Sequence, residues 1–128
     1  MDLISVSRKE GKAFELRVRR HALTVDMSQE EGGSDKGLNP VELLAGSLGA
    51  CIAIMVQTYC DRHGYGDVSA SLTLELADDP KRVGSIVIDL ELPKDFPEDR
   101  KPAVKRLAEL CPVHETLKHM PTVDLEII

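Results

Sequence analysis

From Leu43 to Val56 nearly every residue is apolar or small, so this run presents no polar face to water. Asn39 suits the N-cap and Pro40 the first position of a helix. Gly64, after His63, can close the helix in a left-handed conformation. The spacing predicts one helix from about residue 40 to 63. A helix that is apolar all round is buried on all sides. Gly46, Ser47, Gly49 and Ala50 weaken the helix locally but let other backbones come close. A domain of 128 residues rarely encloses such a helix unaided. The run therefore predicts a second copy of the chain packed over it, a homodimer.

The flanks read as sheet and short helices. Leu3–Val6 and Phe14–Val25 are two strands around a Lys9-Glu10-Gly11-Lys12 turn, with Phe14, Leu16 and Val18 on one face and Glu15, Arg17 and Arg19 on the other. Residues 27–39 are polar and Gly-rich, a long loop of the kind that tends to be functional or partner-bound. Val68, Ala70, Leu72, Leu74 and Leu76 alternate with polar residues, as do Ile86, Ile88, Leu90 and Leu92, on either side of Asp78-Asp79-Pro80. That is a second hairpin with a defined inside. Pro102 belongs in the first turn of a helix whose apolar face is Val104, Leu107, Ala108 and Cys111. Pro112 ends that helix and starts another over residues 112–120, with Cys111 at the N-cap. Thr122–Ile128 makes a final strand. The expected fold is α+β, in the order ββ-α-ββ-αα-β, with residues 1–128 as a single domain.

Composition narrows the function. The net charge is −6 and aromatic residues are 3%, with no Trp. A duplex-binding face must be basic and a single-strand platform needs several rings, so no nucleic-acid partner is expected. The basic clusters Arg17/Arg19/Arg20 and Lys101/Lys105/Arg106 are flanked by acidic residues and read as solvated surface. No uninterrupted apolar run reaches about 18 residues, and the N-terminus lacks the pattern of a signal peptide, so no membrane partner and a cytoplasmic location are expected. Three cysteines argue against a secreted disulfide framework. No phosphate loop, dinucleotide fingerprint or nucleophile elbow is present, and no cofactor is expected.

The thiols carry what chemistry there is. Cys51, in the middle of the apolar helix, has a plain reading as a small buried space-filler. Cys111, at the start of a short helix, is placed where backbone N–H groups stabilise a thiolate. Oxidation of one thiol to sulfenic acid and attack by the other would make a disulfide, provided the fold brings their Cα atoms within about 7 Å. Cys60, nine positions after Cys51, faces the other way and receives no role. A rival reading pairs Cys60 and His63 with Cys111 and His114 as a tetrahedral zinc set. Otherwise His63 is a helix-terminal residue, and His114 and His119 lie on the surface. A third reading is a dimeric small-molecule binding protein without catalysis.

Asn39-Pro40-Val41-Glu42-Leu43-Leu44-Ala45-Gly46-Ser47-Leu48-Gly49-Ala50-Cys51 resembles the central-helix motif of the OsmC/Ohr family, the osmotically inducible and organic hydroperoxide resistance proteins. Cys111-Pro112-Val113-His114 resembles the family's second motif, in its divergent OsmC-like branch. The resemblance implies an intertwined homodimer with two central helices wrapped by antiparallel sheet. It implies a thiol peroxidase in which Cys51 attacks an organic hydroperoxide, Cys111 resolves the sulfenic acid as a disulfide, and a small thiol or dithiol reductant resets the pair. In the family's pattern a Glu follows the motif's Pro and orients an Arg beside the thiolate. Here Val41 holds that position and Glu42, about 100° further round the helix, is the carboxylate left as a candidate. Arg8, near the first turn, is where one subgroup keeps the Arg.

Overall fold

The structure, a computed structural model, describes residues 2–128. The chain divides into two compact units, Met1–Leu44 and Ala45–Ile128. The first is a three-stranded antiparallel sheet of β1 (Ile4–Glu10), β2 (Ala13–Val18) and β3 (His21–Val25), in that order. Gly11, at φ +53°, makes the first turn. The strand expected over Phe14–Val25 is two strands, because Arg19 adopts φ +53° and the chain reverses at Arg19-Arg20. A basic dipeptide in a hairpin turn carries no glycine signal, which is why the alternation looked continuous.

The polar loop after β3 is ordered by one buried carboxylate. Asp26 is 1% exposed. Its oxygens accept the backbone N–H groups of Met27 (2.7 Å), Lys36 (3.1 Å) and Ser34 (3.3 Å). Burial alone would raise its pKa, but these donors together hold the carboxyl below its usual value. Gly33 and Gly37 are required by close approach: a Cβ would lie 2.1 Å from the Met27 carbonyl oxygen and 2.2 Å from that of Thr24 respectively.

Helix α1 (Pro40–Arg62) runs from the first unit into the second. Its buried residues are Ala45, Leu48, Gly49, Ile52, Val56 and Cys60, a single stripe at helical spacing. The helix was expected to be buried on every side; within one chain only this stripe is, and Ile54 stays 66% exposed. By length and composition α1 is also apolar enough to cross a membrane, although no uninterrupted apolar run is that long. Hairpin β4 (Ser69–Ala77) and β5 (Arg82–Glu91) packs Leu72, Ile86, Ile88 and Leu90 against the stripe. A Cβ on Gly49 would stand 2.4 Å from Leu72 Cδ1, so that glycine is what lets helix and strand approach.

The alternation of β4 breaks at a bulge at Glu75/Leu76, opposite Gly84, and Leu76 turns outward to 60% exposure instead of joining the inner face. Helix α2 (Lys101–Glu109) has Pro102 in its first turn, and α3 (Pro112–Lys118) starts at the second proline, as the sequence indicates. The final strand does not form: residues 120–128 carry no secondary structure, and Val123, Leu125 and Ile127 are more than four-fifths exposed. The observed order is βββ-α-ββ-αα, still α+β.

Candidate active site

Pro112 builds one half of the site. A residue before proline is driven out of the helical region, and Cys111 accordingly takes φ −58°, ψ 135° between α2 and α3. This turns its sulfur back over the start of α3, where it accepts the His114 N–H at 3.4 Å. Val104, 2% exposed, is the most buried residue of α2, and Cys111, 0% exposed, joins it in the core. Cys51 supplies the other half from the middle of α1, half-buried beside Ile52.

The two sulfurs, sixty residues apart in sequence, come near each other. The Cys111 thiol is near enough to Cys51 for each to feel the other, and both pack on the cluster of Leu48, Ile52, Val56, Cys60, Phe96 and Val104. Both are free thiols in this state. Electrostatics differ from the expectation of a lowered pKa at the helix start. Burial first, and then the neighbouring Cys51 thiol, push Cys111 above the ordinary thiol value; the N–H groups of His114 and Val113 oppose this and lose. A seven-residue helix contributes too little to offset complete desolvation.

The other candidates have different tasks. The Glu42 carboxylate accepts the Asn39 N–H at 2.8 Å while Asn39 Oδ1 accepts the Glu42 N–H at 2.8 Å, a reciprocal cap on α1. The Asn-x-x-Glu pattern that signals this cap was legible in the sequence. Arg8 donates from Nε to the Gly11 carbonyl at 3.0 Å, within the first hairpin turn. Cys60 is fully buried and its thiol is pushed up, by burial first and then by Asp61 and Asp95.

The zinc set is not assembled. Among the described residues no three His, Cys, Asp or Glu side chains are placed to hold a metal ion. His63 Nδ1 instead contacts the Tyr59 carbonyl at 2.9 Å, and its ring stacks on Tyr59 with centroids 4.3 Å apart. Tyr65 and Phe96 complete this aromatic group at the end of α1. Only Phe96 comes from far along the chain, and nothing in the sequence signalled that it would join. His114 is half-buried rather than on the surface, with its Nδ1 shielded from solvent. A cleft of about 350 Å³ lies between Leu90, Leu92, Pro93, Lys94, Phe96, Glu98 and Lys101, and neither Cys51 nor Cys111 lines it.

Two reduced thiols thus lie near each other, one on a long central helix and one at a Cys-Pro helix junction of an α+β chain. The family described as OsmC-like protein matches residues 33–126, and the chain belongs to that family. No curated protein matches the sequence. Among solved structures, the chain is similar to a candidate osmotic stress induced and detoxification response protein from Psychrobacter arcticus (TM-score 0.80, 19% identity, covering 88% of this chain and 85% of that one). It is similar to an OsmC-like protein from Mycoplasma pneumoniae (TM-score 0.78, 16% identity, 94% and 89%). It is also similar to an organic hydroperoxide resistance protein from Legionella pneumophila (TM-score 0.67, 18% identity, 93% and 90%). At these identities the likeness establishes the fold.

Proposed function

We propose that this protein is a thiol-dependent peroxidase that reduces organic hydroperoxides through Cys51 and Cys111. The Cys51 thiolate attacks the hydroperoxide, ROOH; the O–O bond breaks, ROH leaves after taking a proton, and Cys51 becomes a sulfenic acid. Cys111 then attacks that sulfur, losing its thiol proton, and water leaves as the disulfide forms. A small dithiol takes the oxidising equivalents, becomes a disulfide itself and returns both cysteines to thiols. The observation that carries this reading is the nearness of the two thiols, since a disulfide demands sulfurs that can reach about 2 Å. Mixing the reduced protein with cumene hydroperoxide and counting thiols tests it. Loss of two thiols, with Cys51 and Cys111 joined in the peptide map, is the expected result; an unchanged thiol count rejects the reading.

The working form in this reading is a cytoplasmic homodimer with residues 1–128 as one domain. Support comes from apolar surface that one chain leaves wet: Ile54 on α1, Ile4 and Val6 on β1, and the alternating apolar residues of the C-terminal segment. A second reading, a binding protein without catalysis, is favoured by Val41 at the family's carboxylate position and by the capping role of Glu42. Cys51→Ser separates the two, because binding would survive that change and turnover would not.

A further inference from the structure

The two thiols differ in what can reach them. Cys111 has no surface open to solvent and lies within the core cluster that includes Val56, Phe96 and Val104. Cys51 is half-buried at the edge of the buried stripe of α1, and Ser47 and Ile54, one turn to either side of it, are exposed. With the chain folded in this way, a second copy adds cover and never removes it, so association does not open Cys111. The Cys111 sulfur also accepts the His114 N–H at 3.4 Å, a donor fixed by the start of α3. An N–H aimed at a sulfur favours the thiolate over the neutral form.

We infer that a reducing thiol attacks the Cys51–Cys111 disulfide at the Cys51 sulfur, so that the mixed disulfide forms on α1 and Cys111 is the thiolate that leaves. The inference rests on the redox reading of the thiol pair and deepens it by giving the order of its reductive half. Exchange proceeds by attack of a thiolate on one of the two sulfurs, and access decides which. Burial of Cys111 acts in two ways: it shields that sulfur from attack, and it makes the thiolate harder to expel. The second effect scales the rate, whereas a sulfur with no path to it is not attacked at all. The His114 N–H offsets part of the cost of expulsion. The steps balance. The reductant RS⁻ gives an electron pair to the Cys51 sulfur, the S–S bond breaks, and Cys111 departs with that bond's pair and takes up a proton. A second reducing thiolate attacks the reductant sulfur of the mixed disulfide, RSSR leaves, and Cys51 takes up a proton.

The test starts from the full-length protein bridged by diamide, an oxidant that needs no peroxidase activity. One thiol adds to its N=N bond, the second displaces the adduct, and the disulfide and a hydrazine result. Once diamide is removed, 2-mercaptoethanol is added, the exchange is stopped with acid at successive early times, and the adduct is located by peptic digestion and tandem mass spectrometry. The earliest adduct should sit on Cys51, with Cys111 a free thiol, by about tenfold or more over the reverse. In urea, where burial is lost, the preference should shrink to about twofold or less. Adduct on Cys111, equal shares in the folded protein, or a preference that urea leaves unchanged would overturn the inference. Failure of diamide to form the bridge would remove the redox pair and the inference together. Failure of hydroperoxide to consume thiols, with the exchange result intact, would instead remove the peroxidase reading and leave the order of exchange in place.

Discussion

Cys111 is the residue where opposing forces are most evenly set. Two backbone N–H groups favour its thiolate, yet full burial and the adjacent Cys51 thiol favour the neutral form. Alkylation of Cys111 in a Cys51→Ser variant should therefore stay slow through about pH 8.5, where a free thiol is half ionised, and rise only in more alkaline solution. Iodoacetamide labelling rates across pH check this; labelling that peaks near neutrality would contradict it. Cys111→Ser should let hydroperoxide oxidise Cys51 to a sulfenic acid that a dimedone probe traps, with no internal disulfide. Cys60→Ser should leave the loss of two thiols unchanged. The sequence marked Cys51 and Cys111 as candidates. Their nearness depended on how α1 and the α2–α3 junction pack, which no spacing encodes.

At the level of elements, prolines and glycines account for most of what could be foreseen. Pro40, Pro102 and Pro112 start helices where their missing N–H costs nothing. Gly49 was read as a point of close approach, and its neighbour is the Leu72 side chain of β4. Gly49→Ala should cost about 1–3 kcal/mol through overpacking, whereas Gly46, with open space around its would-be Cβ, should tolerate Ala. Urea denaturation of the two variants makes the comparison. Asn39→Ala, which removes half of the reciprocal cap, should cost about 0.5–2 kcal/mol by the same measurement. The turn at Arg19 escaped the sequence reading because it interrupts an apolar alternation without the usual turn residues, whereas the Glu75/Leu76 bulge has its signal on the other strand, in Gly84.

For the whole molecule, pH and association are the informative variables. The folded chain holds the Cys60 and Cys111 thiols above their ordinary values, while the unfolded chain does not. A thiol that keeps its proton more tightly when folded adds stability that is complete below about pH 8.5 and disappears as pH climbs through the raised folded value. The urea midpoint should fall on going from neutrality to above about pH 9, and the Cys60→Ser/Cys111→Ser double variant should show a smaller fall. In the dimer reading, light scattering should give twice the 14.1 kDa chain mass, and Ile54→Lys, a charge on the exposed side of α1, should shift the population to monomer. What the sequence determined alone is local: the periodicities that make helices and strands, the prolines that start helices, and two motifs with a thiol in each. Tertiary structure decided which stripe of α1 is buried, and that Cys51 and Cys111 come together against one apolar cluster. Those outcomes follow from packing and desolvation among residues far apart in the chain, and neither is a property of a short stretch of residues.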